Sequence, residues 1–295
     1  MPRVPRHDLR SIFPEVSTPD LQVQELTIEG IITHIPPTYQ HHFRHLTRLS
    51  IIVPQQTSSA PSGWQSMWSC FQTEKVHLEY LHAKLSDGLT TLDMFLYLAS
   101  YSGLHELHLS GRPIEMPLAQ QARDLLYRDV LRQHSSTLQA FTVSLFVQNW
   151  DFVPQHGRAL ESYGQNLKFL HLCLDFSQTL GPGAANDPWV VLLNAAINLP
   201  NLHTLFLTIF DSRNREYSNP NQHHSYLRSI KLPPPAKPRI LGTPLLLQKN
   251  HIAVGGEKHH WVYELQQVDG GDFAFRLVTS VAPRDSVPKF SLSWF

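Results

Sequence analysis

The sequence predicts an α/β solenoid: a curved parallel sheet with helices on its convex side and a β-hairpin cap at its C-terminal end. Three observations predict it. A short pattern, an apolar residue followed by others three and five positions later, recurs with starts at Val23, Leu46, Thr73, Leu104, Leu138, Leu167 and Leu202. Successive starts lie between 23 residues (23 to 46) and 35 residues (167 to 202) apart, enough for a strand and a returning segment in each repeat. Near the C-terminus, Trp261, Tyr263 and Leu265 alternate, and Phe273, Phe275 and Leu277 alternate on return.

The pattern and its period are those of leucine-rich repeats, which places a solenoid of about seven repeats over residues 21–225 after a tail at 1–20. In each strand the second and third apolar positions face the core, and the residue between them faces the concave surface. The first interval, holding Pro36, Pro37 and Tyr39, is irregular. Residues 89–102 carry Leu92, Phe95, Leu96 and Leu98 at helical spacing, and 118–133 carry Leu118, Ala122, Leu125, Leu126, Val130 and Leu131. The sharpest helix start is Asn186-Asp187-Pro188: Asp187 caps, Pro188 takes the first helical position, and the helix ends near Asn198, before Pro200. A proline-rich connector occupies 226–243, and 244–295 form a β-rich cap with a turn at Asp269-Gly270-Gly271-Asp272.

Composition narrows the function classes. Lysine plus arginine and aspartate plus glutamate both number 24, so the net charge of zero gives no reason to expect a nucleic-acid or anionic-membrane partner. Two cysteines make no disulfide framework, and no Asn-x-Ser/Thr acceptor occurs, so an intracellular site, cytoplasmic or nuclear, is expected. The first ten residues hold three arginines but no apolar stretch of secretory length follows them.

Leu131-Arg-Gln-His-Ser-Ser-Thr-Leu138 before one strand and Asn198-Leu-Pro-Asn-Leu202 before another resemble the repeat region of fungal F-box/leucine-rich-repeat proteins over residues 21–209. The resemblance implies a substrate-holding repeat domain. In that family an F-box ahead of the repeats docks onto a ubiquitin-ligase scaffold. Here Leu9-Arg-Ser-Ile-Phe-Pro-Glu-Val16 matches only a fragment of it, so docking onto that scaffold is not expected.

Aligning the repeats places Thr27, Ser50, His77, His108, Thr142, His171 and Phe206 in one concave column, with Lys75, Glu79, Glu106 and Cys173 beside it. The expected function is non-enzymatic protein binding through Lys75, His77, Glu79, Glu106, His108, His171 and Phe206, without a cofactor. One alternative is the substrate-recognition part of a ubiquitin-ligase adaptor whose F-box is lost or truncated. Another is a metal-dependent hydrolase using His77, His108 and Glu79 or Glu106, since imidazole and carboxylate suit zinc.

Other motifs resolve into structure. Gly181-Pro-Gly-Ala-Ala-Asn186 fails as a dinucleotide turn at its sixth position and reads as the approach to the Asp187 cap. His105-Glu-Leu-His108 has its histidines three apart on a strand, where a metalloprotease needs four on a helix. The pairs His41-His42, His223-His224 and His259-His260 fall in expected loops, and Pro235-Ala-Lys-Pro238 reads as a stiff connector. Trp64, Trp68 and Phe71 are either interface anchors or pack beneath the convex side.

Overall fold

The computed structural model describes residues 6–7, 22–29, 31–32, 37–52, 64–85, 88–111, 118–145, 154–175, 184, 186–210, 220–236, 246–252, 258–268 and 272–281. The chain divides into two compact units, Met1–Trp150 and Asp151–Phe295.

In the first unit β1 (Arg6–His7) pairs in parallel with β3 (Ile31–Ile32). The main sheet consists of β2 (Glu25–Glu29), β4 (Arg48–Ile52), β5 (Tyr80–Leu85), β6 (Glu106–Gly111) and β7 (Ala140–Leu145), each parallel to the next in chain order. One face of these strands is dry: Leu49, Leu81, Leu107 and Phe141 are fully buried, as are Ile51, Ala83, Leu109 and Val143 two residues on. The irregular first interval contains a 3-10 helix, Pro37–Phe43.

A carbonyl staple sets the register. Gln24 O accepts from the amides of both Thr47 and Arg48, Thr47 O from Glu79 and Tyr80, Glu79 O from His105 and Glu106, and His105 O from Gln139 and Ala140. Each acceptor directly follows the first apolar residue of a repeat, which identifies the third repeat as Leu78, Leu81 and Ala83. The expected start at Thr73 is therefore a misreading.

Thr73 ends a helix instead. Helix α1 (Trp64–Thr73) buries Trp64, Met67, Trp68 and Phe71, one helical stripe, together with Cys70. Trp68 stacks on Tyr97 at 5.5 Å, and Phe71 meets Phe43, Trp68 and Tyr97 at 5.7, 5.9 and 5.9 Å, so these aromatics are core rather than interface anchors. The helix closes with Val76 N–H donating to Phe71 O and Lys75 N–H to Gln72 O, while Lys75 takes a left-handed φ of 53°. That is the helix-ending motif in which glycine is favoured. Lys75→Gly is expected to raise stability by about 1 kcal/mol by removing the left-handed penalty, offset in part by glycine's greater freedom when unfolded; chemical denaturation checks it.

Helix α2 spans Gly88–Leu98, stopping short of the expected 102. The segment 118–133 is helical as expected but in three pieces: α3 (Leu118–Leu125), a π-helical turn (Leu126–Val130) and α4 (Leu131–Gln133). The wider turn directs Leu126, Tyr127, Val130 and Leu131 all inward.

His134 follows, fully buried. Its Nδ1 accepts from the Leu104 amide at 3.2 Å, so Nε2 carries the proton and donates to Leu98 O at 2.9 Å. The ring thus joins the end of α2 to the entry of β6. Thr137 Oγ1 donates to Leu104 O at 2.8 Å, so two polar residues of the Leu131–Leu138 motif, His134 and Thr137, serve as backbone partners.

In the second unit β8 (Phe169–Asp175), β9 (Thr204–Phe210) and β10 (Leu246–Ile252) are parallel, and β11 (Lys258–Gln267) and β12 (Phe273–Val281) continue the sheet antiparallel. The expected C-terminal antiparallel pair is present, joined to β9 through β10, a strand the sequence reading did not separate from its β-rich cap. Helix α5 spans Pro154–Tyr163. Helix α6 (Pro188–Ile197) starts as expected, with Asp187 Oδ1 accepting from Trp189 and Val190 amides at 2.9 and 3.3 Å. Helix α7 (Pro220–Ser229) replaces the start of the proline-rich connector, and beyond it Leu232 bridges to Phe273. The staple recurs, Lys168 O accepting from His203 and Thr204. Residues 176–183, 237–245 and 269–271, which hold the glycine motif's start, the end of the connector and most of the hairpin turn, lie outside the described residues. Among the described residues no helix is long and apolar enough to cross a membrane.

Candidate functional site

The second face of the first unit's strands carries three rows of side chains. Strand pairing sets Glu25, Arg48, Tyr80, Glu106 and Ala140 side by side, then Thr27, Ser50, His82, His108 and Thr142, then Glu29, Ile52, Lys84, Ser110 and Ser144. Adjacent strands are about 4.8 Å apart, so neighbours within a row stand side by side.

The first row is organised around Arg48. Its guanidinium lies 4.5 Å from the centre of the Tyr80 ring, and its Nε is 3.9 Å from Glu25 Oε2. The ion pair is exposed and worth little alone, but stacking gives the guanidinium a fixed plane. Burial pushes the Tyr80 phenol up, with Glu106 adding to it.

His108 links two rows. Its Nε2 lies 3.3 Å from Glu106 Oε2 and its Nδ1 3.0 Å from Thr142 Oγ1. The Thr142 hydroxyl can donate to a neutral ring or accept from a charged one, so the contact survives either state. The hydrogen bond from His108 holds the Glu106 carboxyl below its ordinary range. The His108 ring also meets Tyr80 at 5.6 Å and His82 edge-on at 6.5 Å. His82 is held below the ordinary histidine value by burial first, then by His108 and Lys84.

Of the expected site residues, Glu106 and His108 stand on this face. Lys75, His77 and Glu79 do not, because the third repeat begins at Leu78. Lys75 ends α1; His77 lies flat against Tyr101, ring centres 5.1 Å apart at 6°; Glu79 is a staple residue before β5. His82 takes the column position assigned to His77, with Tyr80 and Lys84 beside it. The signal for them is Leu78-Glu-Tyr-Leu81-His-Ala83, which fits the repeat once alanine is admitted at the third position.

In the second unit His171 and Phe206 are register partners, their rings edge-to-face at 4.5 Å, and His171 Nε2 lies 2.9 Å from Thr208 Oγ1. His171 and Thr208 are buried, and Cys173 is half-buried. This cluster is drier than the rows around His82.

Among the described residues no three histidine, cysteine, aspartate or glutamate side chains are grouped so as to hold a metal ion, so the hydrolase alternative finds no ligand set there. The Cys70 thiol, buried in α1, is pushed up to about 12, the reverse of a nucleophile's setting. No family model matches the chain, and no curated protein or solved structure is significantly similar to it.

Proposed function

We propose that this chain is a non-enzymatic, protein-binding scaffold, a leucine-rich-repeat solenoid that presents the face around Arg48, Tyr80, His82, Glu106 and His108 to a partner protein. The observation that carries this reading is the ordering of that face. Arg48 is stacked on Tyr80, and His108 is held between Glu106 and Thr142. Side chains already fixed in one geometry lose little freedom on association, and arginine and tyrosine are the residue types that anchor protein interfaces. The repeat spacing and the resemblance of the Leu131–Leu138 segment to fungal F-box-type repeats support the same reading.

The test is affinity capture from native extract, with wild type and the H82A/H108A double variant side by side. A protein recovered at stoichiometric yield by wild type and reduced at least tenfold by a variant of unchanged melting temperature is the expected result. Equal recovery by both chains refutes this face as the binding surface.

A further inference from the structure

We propose that Pro233, Pro234 and Pro235 in the second unit form a polyproline ligand held open to solvent, and that its partner is a proline-reading module, a small domain with an aromatic-lined groove and acidic residues beside it. The inference concerns a different part of the chain from the face around His108 and stands independently of it.

Composition dictates the backbone of this segment. Successive proline rings fix φ at about −65° in Pro233, Pro234 and Pro235. Leu232, Pro233 and Pro234 each precede a proline, which pushes them out of the helical region and leaves them extended. Together these restrictions define a polyproline II helix, with about three residues per turn. Burial follows that period. Leu232 and Pro235 share the face turned toward the protein, Leu232 fully buried and Pro235 half-buried. Lys231 and Pro234 share a second face, Pro233 and Ala236 the third, and all four are exposed.

The segment is also tied at both ends. Leu232 N–H donates to Phe273 O and Leu232 O accepts from Phe273 N–H, each at 2.8 Å, and beyond the prolines Ala236 N–H donates to Asn198 Oδ1 at 2.8 Å. These ties use the residues on either side and leave the exposed rings of Pro233 and Pro234 open. A stretch already extended before it meets a partner loses little freedom on binding, the property that proline-reading grooves exploit. Lys231, Lys237 and Arg239 surround the prolines, and no acidic residue lies between 231 and 239. That charge selects, among aromatic grooves, one flanked by carboxylates.

The experiment immobilises a panel of purified SH3 and WW domains and measures retention of the full chain at about 100 µM, beside the P233A/P234A and H82A/H108A double variants. At least one domain is expected to hold the wild-type chain, to hold P233A/P234A at least fivefold less although its circular dichroism spectrum is unchanged, and to release wild type to a free polyproline peptide. H82A/H108A is expected to be retained as wild type is, so the scaffold reading is judged separately by its own capture comparison. Retention by no domain, or equal retention of wild type and the proline variant, overturns the polyproline ligand and leaves the scaffold reading standing.

Discussion

Between pH 6.5 and about 4, stability is expected to fall by about 3 kcal/mol through one residue, His134, measured as the shift of the urea midpoint at fixed ionic strength. Burial pushes its imidazole down to about 4, the bond to Leu98 O acting weakly the other way. The folded chain therefore takes up this proton only near pH 4, whereas the unfolded chain takes it up near the ordinary value of 6.5. Across the interval the unfolded state holds more protons, so stability rises with pH: the contribution is complete above 6.5 and lost as pH falls through the window. The physical cost is specific, because the neutral ring's Nδ1 accepts from the Leu104 amide, and a protonated ring turns that acceptor into a second donor. His134→Ala is expected to cost about 4 kcal/mol at pH 7, from two backbone groups left without partners and the space the ring vacates. The same variant should flatten the acid slope, and a slope as steep as that of wild type assigns the acid sensitivity elsewhere.

Phe71→Ala is expected to cost about 4 kcal/mol and to lower the melting temperature of the first unit by roughly 8–16 °C. The ring is completely buried and touches Phe43, Trp68 and Tyr97, which come from three different elements. Removing it opens a cavity that rigid aromatic neighbours cannot close by small shifts. Phe71→Leu, which keeps most of the volume, is expected to cost about 1.5 kcal/mol. Were Trp64, Trp68 and Phe71 exposed anchors for a partner, both changes would leave stability within about 0.5 kcal/mol of wild type. Calorimetry on the two variants separates these outcomes directly.

Where two signals coincided, local structure was legible in the sequence. Asp187-Pro188 supplied a cap and a preset φ, and α6 begins there. The apolar pairs Leu49/Ile51, Leu107/Leu109 and Leu205/Leu207 occupy the inward positions assigned to them. The third repeat was not legible because two patterns overlap at Leu78. Thr73-x-x-Val76-x-Leu78 satisfies the strand template by accident, while Trp64, Met67, Trp68 and Phe71 carry a helix through Thr73. Reading the helix first moves the repeat start to Leu78 and brings His82 beside His108. On the face itself the sequence identified Glu106 and His108 but not their partners Arg48 and Tyr80, since stacking across strands is set by register and leaves no trace in local spacing.

The carbonyl staple has a consequence for how such a chain can change over generations. Where it occurs, before β2, β4, β5, β6 and β8, strand phase is fixed by one acceptor placed directly ahead of the strand, irrespective of how much chain is spent between one strand and the next. Length is therefore decoupled from phase. An insertion in the return segment lengthens an excursion and leaves the rows of side chains aligned. A deletion of one residue between Leu78 and Tyr80 instead transposes all of β5, sending His82 and Lys84 inward and Leu81 and Ala83 out. The outward rows are thus a set of independently replaceable positions on a fixed metre, and new specificities can be written on them one residue at a time without renegotiating the core.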